Sequence, residues 1–216
     1  MIALPHLLAI GMLSILVAFA LGILSGRHLL VAKSAGEAIL ANTIEARLLQ
    51  PHILINNVTL PTDDGSTQID HVLIMPTGIF VIETKHYQGW IFGNPNQSHW
   101  TQTIYKKKSR FPNPIRQNYG HVKTLQSLFT LPEDNFIPMV VFTGDAEFKT
   151  DLGPTVITLD QLIPRLTEER PAIFDERKMA YIVGRIEMKR LRRSLETDEY
   201  HLNYVRRRIS QKSTRR

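Results

Sequence analysis

The 216-residue chain predicts an α/β fold, with a mixed central sheet flanked by helices, and three observations predict it. Residues 67–75 and 78–85 are runs of Ile, Val, Leu and Phe without strict polar alternation, the pattern of strands covered on both faces. Segments that read as helices, at 33–50 and 113–130, stand on either side of them in the chain. Short apolar runs at 139–142 and 156–159 supply further buried strands. The organisation that follows is an apolar N-terminal segment over 1–30, a domain over 31–165, and a helical, basic extension over 166–216.

The elements can be justified in order. Leu7 to Gly26 contains no charged residue, and about 20 apolar residues match the ~30 Å hydrocarbon core of a bilayer. One transmembrane helix is expected there. A cleaved signal peptide has a basic leading region and a shorter apolar core, whereas no Lys or Arg precedes this run. Arg27 and Lys33 follow it, so the positive-inside rule puts the N-terminus outside and the rest in the cytoplasm. The absence of cysteine fits a reducing compartment without proving one.

Lys33 to Gln50 reads as an amphipathic helix with Ile39, Thr43, Ala46 and Leu49 at helical spacing. Ile53 to Leu60 is a strand, and Asp63-Asp64-Gly65-Ser66 is a turn into the central hairpin. Pro76-Thr77-Gly78 punctuates the two apolar runs and folds them against each other. Gln88-Gly89 breaks the chain before a short Trp90-Ile91-Phe92 strand. Asn94 to Gln97 turns it again, and Trp100 to Tyr105 is a further strand. Asn113-Pro114 starts a helix, and Asp160 is placed to cap a short helix after the last strand.

The chemistry concentrates on the central hairpin. Asp70, Glu83 and Lys85 interrupt it, and ionisable groups inside an apolar sheet are costly unless compensated. A two-residue Pro76-Thr77 turn pairs Met75 with Gly78 and sets Asp70 opposite Glu83, about 5 Å apart at Cβ. Two like charges at that separation need a cation between them or a raised pKa. Lys85 falls on the Glu83 face, about 7 Å along the strand. A solvated ion-pair cluster is the alternative reading. Against it, Ile69, Val72, Ile74, Ile79, Val81 and Ile82 make the hairpin apolar on both faces.

Asp, a hairpin, then Glu-x-Lys resembles the core of the PD-(D/E)xK nuclease superfamily. The wider run narrows the resemblance to the nuclease-related domain (NERD) family. It spans about residues 33–145, from Gly36-Glu37 through NNVTLP, TQIDHVLIMPTGIFVIETKHYQGWIFG, HWTQ and FPNPIRQNYGHVKTLQSLF. The resemblance implies a restriction-endonuclease-like core and a Mg²⁺- or Mn²⁺-dependent nuclease acting on nucleic acid, DNA in preference. It also implies roles residue by residue. Asp70 and Glu83 are the metal-binding carboxylates, and Glu37 is the acid of the first helix that reaches the same site. Lys85 orients or helps deprotonate the attacking water and stabilises charge on the phosphate. Gln117 matches the glutamine of a Gln-x-x-x-Tyr helix motif, with His121 standing where the tyrosine would be.

The residue types suit that reaction. A phosphodiester repels hydroxide, and Mg²⁺, which takes one or two protein carboxylates and keeps several waters, can activate water and stabilise the leaving oxygen.

Charge is uneven: residues 185–216 hold 11 Lys/Arg against 4 Asp/Glu, so the tail accounts for the basic total of +6. Such a tail suits phosphates or anionic lipid, or is a solvated helix. A second basic patch, Lys106, Lys107, Lys108 and Arg110, lies between Tyr105 and Phe111, a combination that suits nucleic-acid backbone with base stacking. A charged hairpin tip would have the same sequence. His71, His86, His99 and His121 match no zinc spacing. No phosphate-binding glycine loop, nucleotide-triphosphate motif or nucleophilic triad is present. Three functional classes remain: a membrane-anchored nuclease, a catalytically silent module that binds nucleic acid or a protein at the membrane, and a structural membrane protein whose basic tail binds lipid.

Overall fold

The hairpin folded at Pro76-Thr77 forms the centre of the molecule. The computed structural model describes residues 35–192 and 194–214. The apolar run at 7–26, and with it the expected transmembrane helix, lies outside the described residues. Among those described, no helix is long and apolar enough to cross a membrane. The elements in chain order are α1 (35–47), β1 (Ile53–Thr62), β2 (Gly65–Met75), β3 (Gly78–Lys85), β4 (Gly89–Phe92), β5 (His99–Ile104), β6 (Lys107–Pro112), α2 (Pro114–Gln126), β7 (Phe136–Phe142), β8 (Ala146–Phe148), β9 (Val156–Thr158), α3 (Leu162–Leu166), α4 (Glu176–Lys189) and α5 (Leu195–Thr214).

Five strands make the main sheet in the order β1-β2-β3-β7-β9. β1, β2 and β3 run antiparallel, while β7 and β9 continue parallel to β3, so the sheet is mixed as expected. Both faces are covered. On one side Val122 and Leu125 of α2 and Met179, Ile182 and Ile186 of α4 pack on Val58, Val72, Ile74, Ile79 and Val81. On the other, Leu40, Ile44 and Leu48 and the α3 residues Leu162 and Leu166 pack on Leu73, Phe80, Ile82 and Val141. Each fully buried aliphatic of this kind contributes about 1.5–3 kcal/mol, which explains the unbroken apolar runs in β2 and β3.

The buried stripe of α1 differs from the expected one. Leu40, Ile44 and Leu48 face the sheet, while Ile39 is partly exposed and Leu49 is 93% exposed. Both stripes have helical spacing, but only the buried one places three large aliphatics at successive fourth positions.

A second sheet, in the order β6-β5-β4-β8, stands beside the first. Its inner residues Ile91, Trp100 and Phe111 pack with Val140, Phe142, Leu152 and Val156. The segment expected as a basic patch or hairpin tip is largely strand: Lys107 to Pro112 form β6, paired with β5 in a register that sets Ile104 opposite Lys107. A second correction concerns the last strand. Thr158, not Asp160, caps the turn that follows, its side chain and that of Gln161 bonding reciprocally to the backbone.

Two asparagines fix α2. The Asn113 side chain accepts from the Ile115 amide at 2.9 Å and donates to the Pro95 and Gln97 carbonyls at 2.9 and 2.7 Å. It caps the helix and ties its start to the β4–β5 loop. Asn118, buried, donates to the carbonyls of Val81 and Met139 at 2.9 and 3.0 Å, holding the helix over the seam between β3 and β7.

Candidate active site

The β2–β3 ladder runs from Met75↔Gly78 to His71↔Ile82, in the expected register. The next pair is Asp70 with Glu83, and there the backbone pairing stops. Instead, the Thr84 amide donates to Asp70 Oδ2 at 2.9 Å. On the other side of β2, Asn57 holds a left-handed φ of 54°, uncommon for a residue other than glycine but best tolerated by Asn and Asp. The residues that face α2 and α4 change parity here. Val58, Leu60 and Ile69 lie on that side before the break, and Ile55, Val72 and Ile74 after it. Asp70 thus sits at a kink where the sheet gives up a pairing and its carboxylate takes the freed amide.

Glu83 and Lys85 continue the alternation of Ile79 and Val81 and project toward α2. Asp70 and Glu83 are fully buried, while the Lys85 side chain is 15% exposed. The Lys85 amine donates to Glu83 Oε1 at 2.6 Å and to Gln117 Oε1 at 3.0 Å. The other Glu83 oxygen, Oε2, lies 3.1 Å from His121 Nε2. His121 Nδ1 is 2.8 Å from the Thr67 hydroxyl. With Nε2–H donating to the carboxylate, Nδ1 accepts from that hydroxyl in the neutral ring. Gln117 and His121 are four residues apart on α2 and so share one face, their side-chain nitrogens 3.5 Å apart.

Burial alone lowers the pKa of the Lys85 amine, but the charge and hydrogen bond of Glu83, with Asp70 and Tyr87 adding to it, raise it above the ordinary lysine value. The same residues act on Tyr87: burial and Glu83 push its phenol up, against Lys85. Asp70, Glu83 and Lys85 therefore form one electrostatic unit, with Gln117 and His121 holding its ends.

Glu37 comes from α1. A Cβ on the preceding Gly36 would lie 2.6 Å from His86 Cβ and 2.7 Å from Thr143 Oγ1. That close approach packs the turn containing Glu37 against the residues just past the ends of β3 and β7. Among the described residues, no three His, Cys, Asp or Glu side chains are grouped to hold a metal. Beside the His121 ring nitrogen, which is engaged with Glu83, the cluster offers oxygen donors: two carboxylates and the Gln117 amide carbonyl. A set with one or two carboxylates suits Mg²⁺ or Mn²⁺ better than zinc.

The four basic residues of the second sheet separate. Lys106 sits at the turn beside Tyr105, which has φ 51°. Lys108 and Arg110 lie opposite Thr103 and Thr101, whereas Lys107 lies opposite Ile104 and takes the other face. Sequence reasoning placed His121 only at the tyrosine position of the helix motif, without a role, and missed Thr67. His121 was legible as the residue four after Gln117 on the same helical face, but nothing in the letters shows that Thr67 would meet it.

The family model described as Nuclease-related domain (NERD) matches residues 32–143, which contain Glu37, Asp70, Glu83, Lys85, Gln117 and His121. An uncharacterized protein of Bacillus anthracis is 44% identical over 95 residues, a segment covering 44% of this chain and 45% of that protein. The chain thus spans less than half the length of that relative. No solved structure matches the chain.

Proposed function

The chain belongs to the nuclease-related domain family, within the PD-(D/E)xK-like nucleases, and on that premise we propose that it is a metal-dependent nuclease hydrolysing phosphodiester bonds, in DNA by preference. One observation supports this reading above the others. Two wholly buried carboxylates and an amine share one end of a hairpin, an arrangement that costs stability and that folding alone does not call for.

Asp70 and Glu83 are the residues that would hold Mg²⁺ or Mn²⁺, and the family resemblance adds Glu37 of α1 as a third acid. The ion's contribution, when bound, is to neutralise phosphate charge and activate water. The remaining roles fall to this chain's own side chains. Lys85, held above the ordinary lysine value, keeps its charge through the neutral range. It therefore acts as a cation toward a phosphate oxygen and orients the attacking water. Gln117 orients that amine through Oε1. His121, steadied by Thr67, fixes the rotamer of Glu83. Residues 1–30 serve in this reading as a single-pass anchor that leaves the domain in the cytoplasm.

The second reading is a silent module that binds nucleic acid or a protein. It is favoured by one feature: both oxygens of Glu83 are engaged by protein groups, Lys85 and His121. Incubating the chain with labelled single-stranded and duplex DNA, in Mg²⁺, Mn²⁺ or EDTA, separates the two. Cleavage that requires metal and disappears in Asp70→Ala supports the enzyme. Binding with no cleavage under any of these conditions supports the silent module.

A further inference from the structure

The second sheet has an outer face that the hydrolytic reading does not use. Strand pairing aligns Trp90 with Thr103 and Lys108, and Phe92 with Thr101 and Arg110. Residues directly opposite on adjacent strands share a face, and so do residues two apart. Trp90, Phe92, Thr101, Thr103, Lys108 and Arg110 therefore lie on one surface. The intervening row contains Ile91, Trp100 and Phe111, all buried against the core, so this surface points away from it, with Thr103 buried between the flanking side chains.

Its chemistry is ordered across the strands. Trp90 and Phe92 on β4 are 48% and 36% exposed, and their Cα atoms are about 7 Å apart along the strand. Two threonines separate them from two cations on β6, an edge strand. Lys149 stands over the Trp90 ring at 4.8 Å and pairs with Glu147, the acid opposite Trp90 on β8, which masks that negative charge. At the end of the sheet Tyr105 is 97% exposed, between Ile104 and Lys106.

From this arrangement we infer that the outer face of the β4–β5–β6 sheet is a platform for single-stranded nucleic acid. Bases stack on Trp90 and Phe92, and the backbone lies toward Lys108 and Arg110. Exposed aromatics on a strand beside a basic strand are what unpaired bases and their phosphates require. A duplex offers no base faces to the rings, and a basic surface for phosphates alone has no use for exposed tryptophan. The inference rests on the nuclease reading for its biological sense: β4 begins four residues after Lys85, so a strand lying on the sheet is delivered to the end of β3.

The test uses the full chain in detergent with EDTA, so that no strand is cut during binding. The probes are a fluorescein-labelled oligothymidine, a mixed-sequence duplex of the same length, and phosphatidylserine vesicles. Trp90 is exposed and Trp100 buried, so the oligothymidine is expected to quench part of the tryptophan emission, and this quenching is lost in Trp90→Ala. Trp90→Ala and Phe92→Ala each weaken oligothymidine binding by about 10-fold. Lys108→Ala with Arg110→Ala weakens it further and flattens its salt dependence. Trp90→Phe and Phe92→Tyr, which keep a ring at each position, retain binding and guard against mere misfolding.

Equal affinity for duplex and single strand without quenching overturns the inference. So does quenching by vesicles and not by oligothymidine, or wild-type binding by both alanine variants. The two readings fail separately. Metal-dependent cleavage with alanine variants that bind normally leaves the nuclease and removes the platform. Quenching and ring-dependent binding without cleavage in any metal leave the platform and remove the nuclease.

Discussion

Lys85 stabilises Glu83 and is stabilised by it, so removing either alone should cost more than removing both. Lys85→Met leaves a buried carboxylate without the amine that pairs with it and is expected to lower unfolding free energy by about 3 kcal/mol. Glu83→Gln combined with Lys85→Met should recover most of that loss in urea melts, while cleavage stays absent. A double variant as unstable as Lys85→Met would show that the pair is not coupled. The amine also sets a pH dependence. Its folded pKa lies above its unfolded one, so its contribution is complete at neutral pH and is lost only as pH rises through the folded value. The stability difference between wild type and Lys85→Met should hold steady up to about pH 10 and shrink beyond it. His121→Ala removes the ring that holds Glu83 Oε2 and is expected to lower cleavage by about 10- to 100-fold, as loss of an orienting partner does at metal sites. Unchanged kinetics would remove His121 from the site. At this scale the sequence revealed much, because buried charges on apolar strands stand out. Asp70, Glu83 and Lys85 could be read from their neighbours; the bond from Thr84 to Asp70 could not, since it exists only because the ladder stops there.

The elements present that cluster through a few polar staples. Asn113 and Asn118 fix α2 against the β4–β5 loop and the β3–β7 seam, and through it Gln117 and His121. Asn118→Leu would leave two buried carbonyls without their donor, at about 1–3 kcal/mol, and should reduce cleavage beyond what the stability loss explains. Thermal melts beside single-turnover rates distinguish a displaced helix from a merely weaker fold. The turn at Pro76-Thr77 was readable because a two-residue connection between apolar runs permits few registers, and the Met75↔Gly78 pairing follows from it. β6 was not readable, because Lys107, Lys108, Ser109 and Arg110 have none of the apolar alternation of a half-buried strand and are exposed along its length. Its pairing comes from β5, a neighbour in space. The α1 stripe failed for a related reason: two faces have helical spacing, and only the sheet selects between Ile39-Thr43 and Leu40-Ile44.

Across the whole molecule, the two sheets differ in what they expose. The main sheet, sealed on both faces, holds charges that a looser core would hydrate, and the second leaves aromatics and cations on an open face. Asp70, Glu83 and Lys85 are proposed to form one hydrolytic site with a divalent ion. Mn²⁺ binding, followed by electron paramagnetic resonance, and DNA cleavage, measured on the same preparations of wild type, Asp70→Ala and Lys85→Ala, test it most directly. Asp70→Ala is expected to lose metal and cleavage together, whereas Lys85→Ala keeps metal and loses cleavage. Undiminished Mn²⁺ binding in Asp70→Ala, or cleavage that survives in Lys85→Ala, would contradict it.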